Sequence, residues 1–590
     1  MRFKIREPSL PLPFSQSHIH QSLIYKVRIG IFFGGPARER EISYAGGKTA
    51  YENMDKALFT PVLVFVDSLG NFILTDESKL YHAGIRDFYP GPAFRDGGFE
   101  VYIESLQQQL SQGELDELMH GIGTPIQPQD FKKYFDFAFI ILHGPNCEDG
   151  AIQGLLEWHK MPYMGPGLLG SAVSIDKILQ NEQIARANGQ QKKMQVVRWE
   201  HWNGADTQQI FETAKTELGL PIVVKAPHQG SSIGVAIVKE DSLDAFVKAM
   251  NQCFFSLEVK ADDWKSWSDI EKHTFAQRIA NLDESIGYPV AIQETGEIIY
   301  HPIDLFEKLD SHCKLQTVNR AADRCKLLSL NAEDQVLLEE FVRGQEFSCG
   351  VIQDDDGTVI ALPPTEIAKL EEEQTFDFKT KYKLNITRKF IPVRTTLEHN
   401  QNIQYNIALV FEKLGMNAVA RIDGFLTADG RVLLHDPNTL PGMSPTSLIF
   451  KQMAEIGLDV THAITYLIRQ SLRERIRTGK DTVHLRVLLA DLDQSIEKQL
   501  GELVPQTVEF EATQEAYLNA RKTFAQLSAS GKVKPIAVLK VNEEEKHQLP
   551  VSLLFKDTIE DVLEMVSQPT HPLIEETKEK AKNVTRRFVG

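Results

Sequence analysis

The sequence has few cysteines, no long apolar run and no excess of positive charge, and each absence excludes a class of protein. Its 590 residues include five widely spaced cysteines that match no zinc-binding or disulfide pattern, which favours a reducing compartment. No stretch of 18 apolar residues occurs, so we expect no membrane-spanning segment. With 64 basic and 81 acidic residues the net charge is −17, which argues against a nucleic-acid-binding surface.

The length and composition are those of a large globular chain. Hydrophobic residues make up 42% and charged residues 25% of the sequence, and the length suits about three or four domains. Residues 1–25 contain no apolar core of a signal peptide, so we interpret them as a leader and expect a cytoplasmic protein. An acidic chain still binds nucleotides, because a phosphate site needs only local basic groups and backbone N–H donors.

Polar side chains cluster in the segment 421–448, which predicts two strands joined by a turn and then a loop that opens a helix. Asp423 lies on the first strand and Asp436 at the end of the second. Asn438 shares a face with Asp436 if the chain stays extended. Two carboxylates and an amide oxygen are hard ligands that suit Mg²⁺ held against nucleotide phosphates. A hairpin with a few polar residues at its end is the alternative interpretation.

The beginning of the chain indicates an α/β fold. Residues 26–33 form an apolar run that ends at a glycine pair, and Glu39 follows near the start of a predicted helix. Residues 135–142 form a second apolar run, typical of a buried parallel strand. His143 follows it, at the edge where such sheets bind ligands. A tight turn at the glycines and a structural histidine are the alternative interpretations.

A glycine-rich stretch, HQGSSIG at 228–234, has the composition of a phosphate-binding loop between two strands. Its glycines let backbone N–H groups approach an anion, and its serine hydroxyls add donors. The stretch lacks the pattern GxxxxGK[ST] and is therefore not a P-loop. A flexible hairpin tip is the alternative interpretation.

Two further stretches suggest parts of a nucleotide site. Glu339, Glu340 and Glu346 lie at or after a predicted strand and are candidates for the ribose hydroxyls, the adenine amino group or a metal. Solvated edge charges are the alternative. The charged stretch 371–393, with aromatic residues between the charges, indicates a mobile loop that closes over a site, or else an ordinary surface loop.

Two other parts of the chain carry no chemical pattern. Residues 241–335 alternate between helix-like and loop-like pieces. Residues 475–590 predict an appended α/β segment with a helix at 514–531. Its predicted strands lie at 482–492, 535–542 and 549–555.

Several motifs occur in the order and approximate spacing of one known family. They are LHGPNCEDGAIQGLLEWHKMPYMGPG, SAVSIDK, VKAPHQGSSIG, KY and ARIDGFL…NTLPG, preceded by GGPAREREIS, which is similar to an N-terminal GG…ERE-[VI]-S signature. The chain thus resembles the D-alanine–D-alanine ligases of the ATP-grasp superfamily over about residues 26–240 and 336–474. The resemblance implies an α/β (α+β) ATP-grasp fold with an N-terminal Rossmann-like pre-ATP-grasp domain.

The domain boundaries follow from this resemblance as expectations. They are a leader at 1–25, a pre-ATP-grasp domain at 26–175, a central ATP-grasp domain at 176–370 with an insertion at about 241–335, a catalytic domain at 371–474, and an appended segment at 475–590.

The resemblance implies ATP as a cofactor and assigns its binding residues. The phosphate-contacting lysines are Lys177 and Lys225, and the phosphate-covering loop contains Gln229, Gly230, Ser231, Ser232 and Gly234. The adenine-binding strand carries Glu339, Glu340 and Val342, the ribose-binding carboxylate is Glu346, and Lys381 in the mobile loop completes the set.

The resemblance also assigns metal, catalytic and substrate roles. Two Mg²⁺ ions, with Mn²⁺ as the alternative metal, are assigned to Asp423, Asp436 and Asn438. Glu39 resembles the group that binds the first D-alanine ammonium, with Ser231 and Tyr382 as its hydrogen-bonding partners. Arg421 and the Gly442 N–H resemble the oxyanion-stabilising pair, and His143, Ser447 and Leu448 are the other substrate positions.

The implied activity is ATP-dependent ligation of two D-alanines through an acyl phosphate, for peptidoglycan precursor synthesis. The resemblance implies a homodimer with small-molecule substrates and no nucleic-acid or membrane partner. The pair Lys381-Tyr382 favours an amine acceptor over a hydroxyl. Two alternatives stay open: an ATP-grasp ligase for another pair of amino acids, and a weakly active nucleotide-binding scaffold.

The chain departs from the family pattern at several places. It reads HDPN where N-E-x-N is usual. Asp436 therefore stands where the family has a glutamate, and its side chain is one methylene shorter. Phe376 and Phe378 stand where tyrosines are common. Residues 241–335 exceed what a compact member needs, and residues 475–590 lie outside the resemblance.

Overall fold

The structure is a computed structural model that describes residues 26–204, 206–283, 285–319, 324–369, 387–444, 447–479 and 482–590. Four residues named above, Phe376, Phe378, Lys381 and Tyr382, lie outside the described residues, as does the predicted leader. Within the described ranges, no helix is long and apolar enough to cross a membrane.

The N-terminal part is a five-stranded sheet in the order β4-β3-β2-β1-β5, with β1 parallel to β2 and β5. Its elements are β1 (Val27–Gly34), α1 (Arg40–Asn53), β2 (Phe59–Val66), β3 (Phe72–Thr75), α2 (Gln112–Ile122), β4 (Thr124–Ile126), α3 (Phe131–Tyr134), β5 (Phe137–Ile140), α4 (Ala151–Trp158) and α5 (Leu168–Ile175). Both β1 and β5 are almost fully buried. The two apolar runs predicted as buried strands are confirmed.

The next part places a small antiparallel sheet, β6-β13-β7-β8, against two helices. Its elements are α6 (Lys177–Asn188), β6 (Met194–Arg198), α7 (Trp199–Trp202), α8 (Thr207–Leu218), β7 (Ile222–Lys225), β8 (Val235–Val238), α9 (Leu243–Cys253) and β13 (Gln335–Glu340). The turn between β7 and β8 is the glycine-rich loop, residues 226–234. The predicted pair of strands around this loop is confirmed.

Between α9 and β13 the chain forms a further sheet of its own, in the order β11-β10-β12-β9. Its elements are β9 (Ser256–Lys260), α10 (Ala261–Ser266), α11 (Asp269–Ile279), β10 (Val290–Ile292), β11 (Ile298–Ile299), α12 (Pro302–Asn319) and β12 (Arg324–Ser329). The buried Trp264 belongs to the same continuous core as the N-terminal sheet. Phe99 in the N-terminal part contacts the rings of His273 and Phe306, so this part of the chain packs on the N-terminal part.

The largest sheet has the order β17-β16-β14-β18-β19, and β15 pairs with β14. Its elements are β14 (Gln345–Gln353), β15 (Val359–Ala361), β16 (Thr365–Lys369), β17 (Thr387–Phe390), α13 (Leu397–Lys413), β18 (Val419–Leu426), β19 (Val432–Asn438), α14 (Leu448–Glu455) and α15 (Val460–Thr478). The hairpin predicted in the segment 421–448 is β18 and β19, and the helix that follows is α14.

The C-terminal part is a three-stranded sheet with flanking helices. Its elements are α16 (Val483–Glu502), β20 (Val504–Glu511), α17 (Gln514–Ser530), β21 (Val533–Lys540), β22 (Lys546–Gln548), α18 (Ile559–Val566) and α19 (Pro572–Val589). The helix predicted at 514–531 is confirmed as α17. The strand predicted at 535–542 overlaps β21 and extends two residues beyond its end.

Two strands predicted in this C-terminal part are wrong. Residues 482–492 belong to α16, where Leu485, Leu492 and Ile496 are buried at helical spacing. Residues 549–555 contain a 3-10 helix, Val551–Phe555. Both are short leucine- and valine-rich runs, in which strand and helix periods are hard to separate without the packing surface.

Candidate active site

Most of the residues assigned to nucleotide and metal line one cavity between the small sheet and the largest sheet. These lining residues are Lys177, Lys225, Gln229, Gly230, Ser231, Ser232, Glu339, Glu340, Val342, Glu346, Arg421, Asp423, Asp436 and Asn438. The cavity wall also includes apolar side chains, among them Val223, Ile237 and Phe341. The fold therefore brings residues from several distant stretches to a single site.

A buried carboxylate organises the lysines of this cavity. Glu339 Oε2 lies 2.9 Å from Lys225 Nζ, and Glu339 Oε1 lies 2.6 Å from Lys192 Nζ. Strand register explains the first contact, because Leu337 of β13 pairs with Lys225 of β7 and Glu339 follows on the same face. Asn181 on α6 donates a third hydrogen bond to Glu339, at 2.8 Å.

The charges of Glu339, Lys192 and Lys225 strongly affect one another. Burial alone would raise the pKa of Glu339, but Lys192 and Lys225 lower it well below the ordinary glutamate value. The carboxylate is therefore ionised and holds both ammonium groups in the cavity. Lys192 and Asn181 were missed in the sequence, because a lysine beside a second lysine and an asparagine within a polar helix are ordinary surface patterns.

The glycine-rich loop has an unusual backbone. Ser231 and Ser232 have φ angles of 50° and 64°, in the left-handed region that side chains rarely adopt. The loop closes through Ala226 N–H, which donates to Gly234 O at 2.7 Å. A Cβ atom at Gly230 would lie 2.7 Å from Glu39 Oε2, so only glycine fits there in this arrangement.

Two residues outside the loop hold its base. Glu333, which precedes β13, binds His228 Nδ1 at 2.7 Å and accepts a hydrogen bond from Gln229 Nε2 at 3.0 Å. His228 Nε2 also lies 3.7 Å from Asp176. The carboxylates of Asp176 and Glu333 raise the pKa of His228 to about 10, so His228 is protonated at neutral pH. The roles of Glu333 and His228 were missed in the sequence.

Glu39 lies at the position just before α1 and reaches the glycine-rich loop. Its carboxylate accepts a hydrogen bond from Ser231 Oγ. Burial and the nearby Glu148 raise the pKa of Glu39, while His143 and Lys177 oppose this increase. Glu148 Oε1 lies 3.7 Å from His143 Nδ1, so these acidic and basic groups share one buried cluster beside the loop.

The hairpin that carries the assigned metal ligands contains a bulge. Arg421 pairs with Asn438 and Asp423 with His435, so one extra residue lies on β19 between these pairs. Asp436 has a φ angle of 46°, and the following Pro437 has no N–H to donate to the neighbouring strand. An extended chain was the condition for Asp436 and Asn438 to share a face, and it is not met at Asp436, where β19 has a left-handed φ angle.

The assigned metal ligands are two carboxylates and an amide. Asp423 Oδ1 accepts a hydrogen bond from Ser348 Oγ at 2.6 Å. Asp436 lies 3.4 Å from Lys177 Nζ and 3.9 Å from Lys225 Nζ. Burial would raise the pKa of Asp436, but both lysines and His435 lower it well below its ordinary value.

These donors fit a hard cation that also binds phosphate. Asn438 Oδ1 is buried and has no hydrogen-bond partner, which leaves an oxygen ligand available beside Asp436. No group of three His, Cys, Asp or Glu side chains suited to a metal occurs within the described ranges. A cation held by Asp423, Asp436 and Asn438 would take its further oxygens from a nucleotide or water.

The remaining assigned residues lie near the start of α14. Ser447 Oγ donates a hydrogen bond to Gly442 O, and Leu448 is the first residue of the helix. Gly442, Ser447 and Leu448 are not among the cavity-lining residues named above; Thr439, three positions before Gly442, is in the cavity wall. The structure thus places Gly442, Ser447 and Leu448 just after the residues that line the cavity.

Gly234, also assigned to the nucleotide, lies at the end of the glycine-rich loop and is likewise not among the cavity-lining residues.

Comparison with known proteins gives the family of the chain. The family model described as "D-ala D-ala ligase N-terminus" matches residues 28–166, and the one described as "D-ala D-ala ligase C-terminus" matches residues 183–257 and 314–469. Together they span more than half of the sequence. The chain belongs to the D-alanine–D-alanine ligase family.

Individual members of the ligase family are distant from this chain. The D-alanine–D-alanine ligase of Geobacillus thermodenitrificans is 24% identical over 76% of this chain and 96% of the relative. D-alanine–D-alanine ligase A of Brucella melitensis is 25% identical over 76% of this chain and 98% of the relative. The solved D-alanine–D-alanine ligase of Coxiella burnetii has a TM-score of 0.48 at 20% identity, covering 79% of this chain and 98% of that one.

Besides residues 1–27 and 167–182, two longer regions of the chain lie outside the ligase-family match. Residues 258–313, within the predicted insertion, separate the two matched parts of the C-terminal family model. Residues 470–590 follow the match. We refer to residues 258–313 below as the inserted segment.

Proposed function

We propose that this chain uses ATP to join two D-alanines into D-alanyl-D-alanine, the dipeptide of peptidoglycan precursors. The proposal depends on one observation: lysines, carboxylates and the glycine-rich loop come together at a single cavity. In it, Glu339 holds Lys192 and Lys225, Asp436 faces Lys225, and the glycine-rich loop contacts Glu39 through Ser231. Membership of the ligase family supports the same conclusion.

Within the proposed site, the nucleotide phosphates lie under the glycine-rich loop. Lys177 and Lys225 contact the phosphates, and we add Lys192 to this set because it is held in the cavity by the same carboxylate as Lys225. The cavity wall as a whole carries more carboxylates than ammonium and guanidinium groups, so the ATP phosphates would rely on these three lysines together with a bound cation. The adenine lies along the strand that carries Glu339, Glu340 and Val342, and Glu346 binds the ribose.

The proposed metal ligands are Asp423, Asp436 and Asn438. Two Mg²⁺ ions, or Mn²⁺ in their place, would neutralise the charge of the transferred phosphoryl group when bound. The bulge at Asp436 moves this carboxylate out of the regular strand register, next to Lys177. We propose that this change of backbone lets the shorter aspartate serve in place of the usual glutamate.

The proposed reaction has two steps. Glu39 binds the ammonium group of the first D-alanine, whose carboxylate oxygen attacks the γ-phosphorus of ATP, so that ADP leaves and an acyl phosphate remains. The amine nitrogen of the second D-alanine then loses a proton and attacks the acyl carbon, and phosphate leaves. Arg421 and the Gly442 N–H stabilise the oxyanion that forms, while Ser447 and Leu448 lie near the carboxylate of the second D-alanine.

The test is the release of phosphate from ATP and Mg²⁺ with a panel of D- and L-amino acids. We expect release that depends on D-alanine, with D-alanyl-D-alanine identified by mass. Turnover only with another pair of amino acids would contradict the proposed substrates and support a different ATP-grasp ligase. ATP binding without turnover for any pair would contradict the proposed reaction.

We also propose a homodimer, on the family resemblance, and a cytoplasmic location, on the reducing compartment that the cysteine pattern favours. The reaction consumes ATP, which supports the proposed compartment. Light scattering coupled to size-exclusion chromatography tests the oligomeric state. A mass near the 66.6 kDa of one chain would contradict a dimer.

A further inference from the structure

The strand–helix junction that carries Glu39 is bound on both sides by arginines. Arg40 forms a 2.7 Å ion pair with Glu104 and donates to the carbonyl oxygens of Pro36 and Ala37, all within the N-terminal part. Arg38 points the other way, into the part of the chain between α9 and β13. Residues 38 and 40 therefore connect the junction to two different parts of the molecule.

Arg38 is almost completely buried, and its contacts are specific. Its guanidinium donates to the carbonyl oxygens of Leu282, Ser285 and Ile286, at 3.2, 2.8 and 2.7 Å. These carbonyls belong to the turn that follows α11, within the inserted segment. A single guanidinium therefore satisfies a set of acceptors that a lysine ammonium lacks the geometry to reach together.

Two further contacts of Arg38 lead to the glycine-rich loop. The guanidinium lies 4.0 Å from the centre of the Phe255 ring, and that ring lies 3.1 Å from where a Cβ of Gly234 would be. Arg38 also donates to Ser329 Oγ at 3.0 Å, at the end of β12. Four residues later, Glu333 binds the base of the loop.

We propose that Arg38 is a positioning residue that fastens the inserted segment to the Glu39 junction and thereby holds the glycine-rich loop in place. Three of the contacts that hold the loop are those of Ser231 with Glu39, of Gly234 with the Phe255 ring beside Arg38, and of the loop base with Glu333. Lys177 adds two more, because it donates to the carbonyl oxygens of Pro227 and Gln229. The inserted segment contributes to holding the loop, because its carbonyl oxygens accept the hydrogen bonds of Arg38. The kinetic consequence rests on the proposed function, whereas the structural consequence does not.

Hydrogen exchange of the full chain without ligands tests the structural consequence. We expect Arg38→Met to raise amide exchange about tenfold or more in two regions, 226–234 and 281–287, and Arg38→Lys to raise it less. The matched control is Arg28→Met, since Arg28 on β1 also donates to backbone carbonyls, those of Lys132 and Lys133 in α3. The control should leave both regions unchanged.

Faster exchange in 281–287 without any change in 226–234 would overturn the proposal, because Arg38 would then hold only the inserted segment. Unchanged exchange in both regions would overturn it as well. If Arg38→Met does not fold, Phe255→Leu and Ser329→Ala each remove one contact of the same guanidinium, and the same two regions are compared.

The kinetic test follows if the chain is an active ligase. We expect Arg38→Met to raise the KM for ATP and lower kcat, with partial recovery in Arg38→Lys, while Arg28→Met changes neither. An unchanged KM and kcat in Arg38→Met would overturn the positioning role. If the wild-type chain shows no ligase activity, the proposed function fails, and the exchange measurement still decides the role of Arg38.

Discussion

The hydroxyl of Ser231 donates a hydrogen bond to the carboxylate of Glu39, although the two residues are 192 positions apart in the chain. One belongs to the loop proposed to cover the phosphates, and the other is proposed to bind the first D-alanine. The contact therefore connects the proposed phosphate-binding loop to the proposed D-alanine-binding residue. In the proposed site, a loop held by Glu39 would also lie over the γ-phosphate of ATP.

Removing this hydroxyl should separate loop closure from amino-acid binding. We expect Ser231→Ala to lower kcat/KM for ATP by about 10- to 100-fold, the value of a lost hydrogen bond to a charged group. Glu39→Gln is the matched comparison, because it keeps an acceptor for Ser231 but loses the charge that binds the ammonium. It should mainly raise the KM for D-alanine. Identical changes in both variants would contradict the division of roles.

A side chain at Gly230 should also disturb this contact. The added Cβ of Gly230→Ala would lie 2.7 Å from Glu39 Oε2, so either the loop or the Glu39 carboxylate must shift, and the two separate in both cases. We expect a loss of ligase activity of about 10-fold or more, with the fold retained by circular dichroism. Gly121→Ala is the control, since nothing lies within 4 Å of a Cβ there and its activity should equal that of the wild type.

The carboxylate at Asp436 should be essential to the proposed metal site. Asp436→Asn removes a charged ligand next to Lys177 and should lower kcat by about 100-fold or more, measured by phosphate release at several Mg²⁺ concentrations. Asp429→Asn is the control, because Asp429 lies in the turn of the same hairpin and pairs with exposed Arg431. Undiminished activity in Asp436→Asn would show that this metal assignment is wrong.

Glu339 should stabilise the fold in a pH-dependent way. Its folded pKa is lowered, so its contribution is present above the ordinary glutamate pKa of about 4.3 and is lost as pH falls towards the folded value. Glu339→Gln leaves two buried lysines without their partner, and we expect a loss of about 3 kcal/mol at pH 7. The difference between the urea-unfolding midpoints of the two proteins should stay constant above about pH 5 and begin to shrink only below about pH 4. Glu340→Gln, next in the chain, should have little effect on the midpoint.

The base of the glycine-rich loop should lose stability at alkaline pH. The folded pKa of His228 is raised to about 10, so its bonds to Glu333 and Asp176 contribute fully below the ordinary value of about 6.5 and are lost as pH rises through 10. The melting temperature of wild type should therefore exceed that of His228→Gln at pH 6 and approach it by about pH 10. The exposed His201→Gln is the control. A difference that does not change with pH would contradict the proposed charge of His228.

The sequence by itself determined the elements whose signals are local. The apolar runs of β1 and β5, the loop HQGSSIG and the hairpin ending in HDPN are contiguous patterns, and the family motifs contain the assigned residues in chain order. Local patterns gave a wrong prediction at residues 482–492. The leucines and valines there fit the two-residue period of a strand and the 3.6-residue period of a helix equally well. Packing of this segment against α15 and α19 decided in favour of the helix.

Only the tertiary structure decided which charged residues act together. Lys192, Glu333 and Arg38 each stand in a polar context that is typical of a protein surface, and nothing in their neighbourhood marks them as buried. Their roles come from contacts between residues far apart in the chain: Lys192 with Glu339, Glu333 with His228, and Arg38 with the turn after α11. Burial makes these contacts strong, because a charge removed from water must find its partners within the protein.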